Sequence, residues 1–185
     1  MISTADFRNG ITIILDDVLW EMVEFQHVKP GKGGAFVRTK LRNVLTGRNL
    51  EKTFRSGERM EEAELREEPY QYLYNDGDLY YFMHKQSFDQ TAVGTAAVGE
   101  TSRFLKENGD VSLIFHNGRV LSLALANSVD LLITRSDPGV QGDRASGGTK
   151  PATLETGAVI QVPLFVNEGA RIRVDTRTGA YIERV

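Results

Sequence analysis

Short polar turn signals recur along the chain at spacings that leave room for strands and not for long helices. Asp16-Asp17, the glycine loop at 31–34, Thr46-Gly47, Asn75-Asp76-Gly77-Asp78, Asn117-Gly118, Glu168-Gly169 and Thr178-Gly179 supply residues suited to tight turns, most of them tolerant of positive φ. Between them lie ITIILD, VLWEMVEFQHV, AFVRTKLRNVL, NLEKTF, PYQYLYNDGDLYYFMH, VSLIFHNGRVLSLALA, VDLLITRSD and VIQVPLFVNEGARIRVDTRTGAYIERV, rich in β-branched and aromatic residues. An all-β chain is expected. Residues 1–63, with about five short strands and small connections, suit an SH3-like barrel, and 64–127 and 128–185 each suit an OB-type barrel. The charged segment Glu58–Glu68 reads as the break between the first two units. SFDQTAV (87–93) and VGETSRFLKENG (98–109) read as short helical turns, the second opened by Glu100 or Thr101 and ended by Asn108-Gly109. Each core is small, so mutual packing of the barrels is expected to add stability.

The chain has no cysteine, which excludes disulfides, thiolate metal sites and thiol catalysis and fits a cytoplasmic protein. No apolar run approaches the about 18 residues of a membrane span. The start MISTADFRNG has no basic segment leading into an apolar core, so no secretory signal is expected. The net charge of −3 hides an uneven distribution. Basic and acidic side chains number 10 and 9 in residues 1–63, 5 and 9 in 64–127, and 7 and 7 in 128–185. From Gln26 to Arg59, nine cations face only Glu51 and Glu58. Strand alternation puts Arg38, Lys40 and Arg42 on one face, and Val37, Thr39, Leu41 and Asn43 on the other. Such a face fits a polyanion contact or, equally, a solvated sheet surface.

No self-contained active site emerges. A phosphate-binding loop fails because Gly31-Lys32 is followed by Gly33 where Ser or Thr is needed, and GxGxxG, G-x-S-x-G and HExxH are absent. His27, His84 and His116 read as strand-face residues far apart in sequence, so no metal site is expected. The carboxylate neighbours Asp16-Asp17, Glu61-Glu62 and Glu67-Glu68 point to opposite faces of an extended chain. Tyr70, Tyr72, Tyr74, Tyr80 and Tyr81 can fill and border a core or stack on bases, with the first reading favoured. Two stretches resist a structural account. One is Lys32 at a tip made of Pro30, Gly31, Gly33 and Gly34. The other is the long polar, glycine-rich loop Pro138–Pro151, which is either a mobile connection or a contact for phosphates and bases through its N–H groups, Arg144, Ser146, Thr149 and Lys150.

PGKGGA (30–35), GDR (142–144), KPATLETGAVIQVPLF (150–165) and the ending VDTRTGAYIERV stand in an order and spacing that resembles the bacterial elongation factor P family over the whole chain. The resemblance implies an SH3-like (KOW-like) barrel followed by two OB barrels in an L that imitates a tRNA outline. It implies a monomeric, cytoplasmic, non-enzymatic factor without a cofactor or membrane attachment. Such a factor binds both ribosomal subunits between the peptidyl-tRNA and exit sites and relieves stalling at consecutive prolines. Lys32 matches the position that a dedicated enzyme modifies in many members, commonly with a β-lysyl group, so that it reaches the CCA end of the peptidyl-tRNA. Gly142, Asp143 and Arg144 match a loop associated with the exit-site codon, where many members have Thr in place of Arg144. Tyr181 and Arg184 match residues facing the small subunit. Arg38, Lys40 and Arg42 would then lie against tRNA or ribosomal RNA. The competing readings are an elongation-factor-P-like paralogue with other clients and a generic single-strand nucleic-acid binder built from OB barrels.

Overall fold

The computed structural model describes residues 1–139 and 148–185. The first sheet contains β1 (Ile2–Ser3), β2 (Thr12–Leu15), β3 (Val18–Val28), β4 (Phe36–Asn43), β5 (Asn49–Arg55) and β6 (Arg59–Glu62), ordered β1-β6-β2-β3-β4-β5 with antiparallel pairing. This order forces the sheet to roll up. Laid flat, β5 and β6 would be four strand spacings apart, about 19 Å. Ser56–Glu58 joins them, and four Cα steps span at most about 15 Å. The closing turn is fastened to the N-terminus: Thr4 N–H donates to Glu58 O at 3.1 Å, and Gly57 N–H to Thr4 Oγ1 at 2.8 Å. Phe7, Ile13, Met22, Val37, Leu41 and Phe54 fill the interior. The register slips between Met22 and Glu24, and a bulge of this kind bends the long β3 around the barrel.

The second sheet is ordered β11-β10-β7-β8-β9, from β7 (Leu65–Asn75), β8 (Leu79–His84), β9 (Gln90–Gly94), β10 (Asp110–His116) and β11 (Arg119–Ala124). A single helical turn, α1 (Thr95–Val98), and a 3-10 turn (Gly99–Phe104) cross from β9 to β10. The third sheet is ordered β14-β13-β12-β15-β16, from β12 (Ser128–Ser136), β13 (Thr149–Leu154), β14 (Val159–Pro163), β15 (Arg171–Asp175) and β16 (Tyr181–Arg184). Its β12 serves both sides: Ser128–Leu132 pairs with β15, and Ile133–Ser136 with β13, with a register shift after Ile133.

The charged segment Glu58–Glu68 carries β6 and the start of β7, with residues 63–64 outside any strand between them; Met60 and Ala63 are buried, and all its acids but the half-buried Glu68 are exposed. Two sequence expectations need correction. In SFDQTAV, residues from Gln90 onward are strand, because Thr91 and Val93 pair with Phe82 and Tyr80 of β8. The second helical turn stops at Phe104, and Asn108, at φ 61°, turns the chain into β10.

Contacts gather into two compact units, 1–66 with 115–121, and 67–114 with 122–185. Within the second unit, Phe104 from the 3-10 turn is a member of the core built by Leu131, Ile133, Leu154, Val162, Ile172 and Val174. Lys106 Nζ reaches Glu155 Oε1 at 3.7 Å, and Thr156 Oγ1 donates to Arg103 O. The second and third sheets therefore share apolar and polar contacts inside one unit.

Candidate functional site

The loop after β3 begins where pairing stops. Val28↔Phe36 is the last rung, and Pro30, which has no N–H, cannot extend the ladder. Lys29 through Gly34 are exposed, and Ala35 O accepts from Ser56 N–H at 3.0 Å to fix the loop's exit. Gly33, at φ 107°, needs glycine for the turn. Gly31 and Gly34 do not: a Cβ at either would meet nothing within 4 Å, and neither has a positive φ. Their bareness answers no demand of the fold. Among the described residues, Lys32 has no ion-pair or hydrogen-bond partner, so its ammonium is free to take one from outside.

On β4, alternation is as expected: Val37, Thr39 and Leu41 are buried, and Arg38, Lys40 and Arg42 exposed. The face is not uniformly basic, however. Register sets Glu21 and Asn49 beside Arg42, Glu24 and Glu51 beside Lys40, and Gln26 and Thr53 beside Arg38. Cross-strand neighbours share a face. Nε and Nη2 of Arg42 both reach Glu21 Oε2, the former at 3.1 Å. Lys40 stands between two carboxylates. Arg38 alone has neutral flanks, and its guanidinium lies 5.6 Å from the Phe36 ring centroid. Phe36 pairs in turn with Arg55. The cations on this face without a carboxylate as cross-strand neighbour, Arg38 and Arg55, thus cluster beside the loop that bears Lys29 and Lys32, with Glu58 Oε2 accepting from the Arg55 N–H at 2.9 Å. Sequence reasoning missed Arg55 as part of this group, because only the β4–β5 register reveals it.

The other expected sites behave differently. Gly142, Asp143 and Arg144 lie outside the described residues. Lys150 does not face a ligand: it is buried on the inner face of β13, and its Nζ donates to Asp137 O at 2.9 Å. It clasps the base of the loop whose contacts it was expected to make. Thr149 Oγ1 meets Gln161 Oε1 at 3.1 Å. Tyr181 packs at the edge of the C-terminal core, while Arg184 is exposed on β16. These two belong to the unit that lacks Lys32. Among the tyrosines, Tyr70 and Tyr72 are buried as core, but Tyr74 is exposed and stacks on Tyr81 at 4.7 Å. Among the described residues, no group of three or more His, Asp or Glu side chains could hold a metal ion, and no helix is long and apolar enough to cross a membrane.

The chain is 53% identical to "Elongation factor P" of Acetivibrio thermocellus, with the whole of both chains aligned. It belongs to the elongation factor P family. "Elongation factor P" of Mycobacterium avium is 52% identical over all of this chain and 99% of its own. The family models for the elongation factor P KOW-like domain, OB domain and C-terminal domain match residues 3–60, 65–123 and 129–184. The structure resembles the eukaryotic translation initiation factor 5A from Methanococcus jannaschii, with a TM-score of 0.52, 21% identity, and coverage of 66% of this chain and 92% of the other. An initiation factor 5A family protein from Naegleria fowleri gives a TM-score of 0.55 at 14% identity, over 67% and 96% of the two chains. These structural likenesses establish shared fold, with the KOW-like and OB architecture read from the sequence. As a member of the elongation factor P family, the protein is a translation elongation factor and works with the ribosome and tRNA.

Proposed function

We propose that the protein binds the ribosome between the peptidyl-tRNA and exit sites and promotes peptide-bond formation at consecutive prolines, with Lys32 holding the CCA end of the peptidyl-tRNA. One observation carries this reading: an unpartnered ammonium stands on a tip whose two spare glycines serve no internal contact. A slim, deformable stem with a cation at its end suits a narrow cavity walled by phosphates. Proline's ring restricts φ and hinders its nitrogen, so its transfer depends on orientation more than that of other residues. Fixing a wandering CCA end lowers the entropic part of the barrier. Each tenfold gain in rate requires about 1.4 kcal/mol, within reach of one or two charge-assisted hydrogen bonds.

On this reading the ribosome performs the chemistry and the protein positions. Arg38 and Arg55 hold RNA phosphates beside the loop, and Lys40 and Arg42 add less because carboxylates already face them. Gly142, Asp143 and Arg144 meet the exit-site codon region, and Tyr181 and Arg184 meet the small subunit. The protein acts as a cytoplasmic monomer, and a dedicated enzyme extends Lys32 with a β-lysyl or similar group. Peptide mass spectrometry on native protein identifies that group. Translation of a polyproline reporter with wild type and Lys32→Ala tests the mechanism; equal relief of stalling by both refutes it.

A further inference from the structure

Among the described residues, five non-glycine positions have positive φ: Asp16, Asp17, Asn108, Asn117 and Phe88. Asp and Asn enter that region readily, whereas a bulky aromatic does not. Phe88, at φ 62°, sits in the loop that joins β8 to β9 and is 67% exposed. The loop is held shut around it. Phe88 N–H donates to His84 O at 2.9 Å, and His84 N–H to Asp89 O at 2.8 Å. Nδ1 of His84 accepts from the N–H groups of both Gln86 and Ser87 at 3.1 Å, and Lys85 N–H donates to Pro69 O at 3.1 Å. The His84 ring stands edge-on to the Tyr70 ring at 5.0 Å.

A glycine at 88 would make the same turn without strain. Folding gains little from a ring left in water. The ring is therefore presented, rigidly, to something outside the chain. The loop's surroundings indicate what. Exposed Asp89 follows Phe88 in the chain, exposed Glu67 lies on β7 two residues before Pro69, and Lys85, the loop's cation, is tied to Asp110 at 2.9 Å. Across 64–127, nine acidic side chains outnumber five basic ones. Such a rim repels a phosphate backbone and attracts cations.

We propose that Phe88 is a docking anchor for a basic protein surface bearing an apolar pocket, carried by the ribosome. This rests on the reading of the chain as a ribosome-bound factor. A rigid aromatic entering a pocket inside a ring of complementary charge has the anatomy of an interface hot spot, and its pre-set conformation avoids ordering costs on binding.

The test uses the full chain and purified 70S ribosomes. Equilibrium binding is compared for wild type, Phe88→Ala, Phe88→Gly and Asp89→Lys, and the chain with Phe88→p-benzoylphenylalanine is photo-cross-linked on the ribosome. The expected result is about tenfold or greater weakening for both Phe88 variants and a smaller loss for Asp89→Lys. Phe88→Gly should melt no lower than wild type, which separates lost docking from lost folding. The adduct should resist ribonuclease, yield to protease and contain a basic protein. Phe88 variants that bind like wild type overturn the inference, as does an adduct on ribosomal RNA or tRNA, which would make the ring a base-stacking platform. Failure of the unsubstituted chain to bind ribosomes overturns the functional reading itself.

Discussion

Gly179 lies against the ring of Phe104: a Cβ on the glycine would stand 3.3 Å from Cζ. The glycine belongs to the β15–β16 turn and the phenylalanine to the 3-10 turn before β10, so the contact locks the second sheet onto the third. Phe104 is 4% exposed within the C-terminal core. Phe104→Ala should lower the unfolding free energy by about 3–5 kcal/mol. Gly179→Ala combines a tight contact with φ 72° and should cost about 1–2 kcal/mol. Urea titration measures both. The double mutant should lose less than the sum, because the two residues touch; strict additivity would show that the contact contributes nothing.

Arg38 and Arg42 occupy one strand face but not one electrostatic setting, since Glu21 pairs Arg42 and only Gln26 and Thr53 flank Arg38. Arg38→Gln should therefore weaken ribosome binding more than Arg42→Gln, and should reduce the slope of log affinity against log salt by about one. Arg55→Gln should resemble Arg38→Gln. Equal effects at positions 38 and 42 would mean that Glu21 leaves its partner on the ribosome.

How much of this was legible in the sequence depended on whether a property is local. Turn residues and alternation are local, so the three sheets and the buried side of β4 could be read directly. A sequence window from Gln26 to Arg59 saw a nearly pure run of cations because Glu21 and Glu24 lie before it, yet register lays both on the same face. Lys150 misled for a similar reason: a lysine in a polar loop reads as exposed, but the β13 ladder turns it inward to Asp137 O. In Glu58–Glu68 charge density masked β6 and the start of β7, because only Met60 of β6 carries the burial there. Lys32 was legible because its isolation among glycines is itself a local property.

Gly31 and Gly34 give a direct test of whether the loop is shaped for a partner. Neither has a positive φ or a neighbour in reach, so Ala at either position should leave stability unchanged or raise it by up to about 1 kcal/mol through the unfolded chain. Gly33→Ala, at φ 107°, should cost about 1 kcal/mol. In the polyproline reporter, however, all three should lose relief of stalling, since each thickens or stiffens the stem. Full activity of Gly31→Ala and Gly34→Ala would remove the argument for a slender tip.

Asp175 organises the β15–β16 turn. Its Oδ1 accepts from the N–H groups of Arg177 at 2.8 Å and Thr178 at 3.2 Å, and its Oδ2 from Arg177 Nη2 at 3.0 Å. The Arg177 side chain, then its backbone N–H, pull the carboxyl down to about 2. A group whose pKa is lower in the folded state adds stability above its unfolded value, near 4, and loses it as pH falls through the folded value. The contribution of Asp175 should thus be complete at pH 5 and above, and decline between about pH 4 and 2. The melting temperature of wild type should exceed that of Asp175→Asn at pH 6, and the gap should narrow progressively on titration to pH 2. Asp175 is half-buried but its partner Arg177 is exposed, so the gap should be modest, and salt should shrink the part owed to the Arg177 charge. A gap that stays constant from pH 6 to pH 2 would show that the turn depends on the side chain's shape and not on its charge.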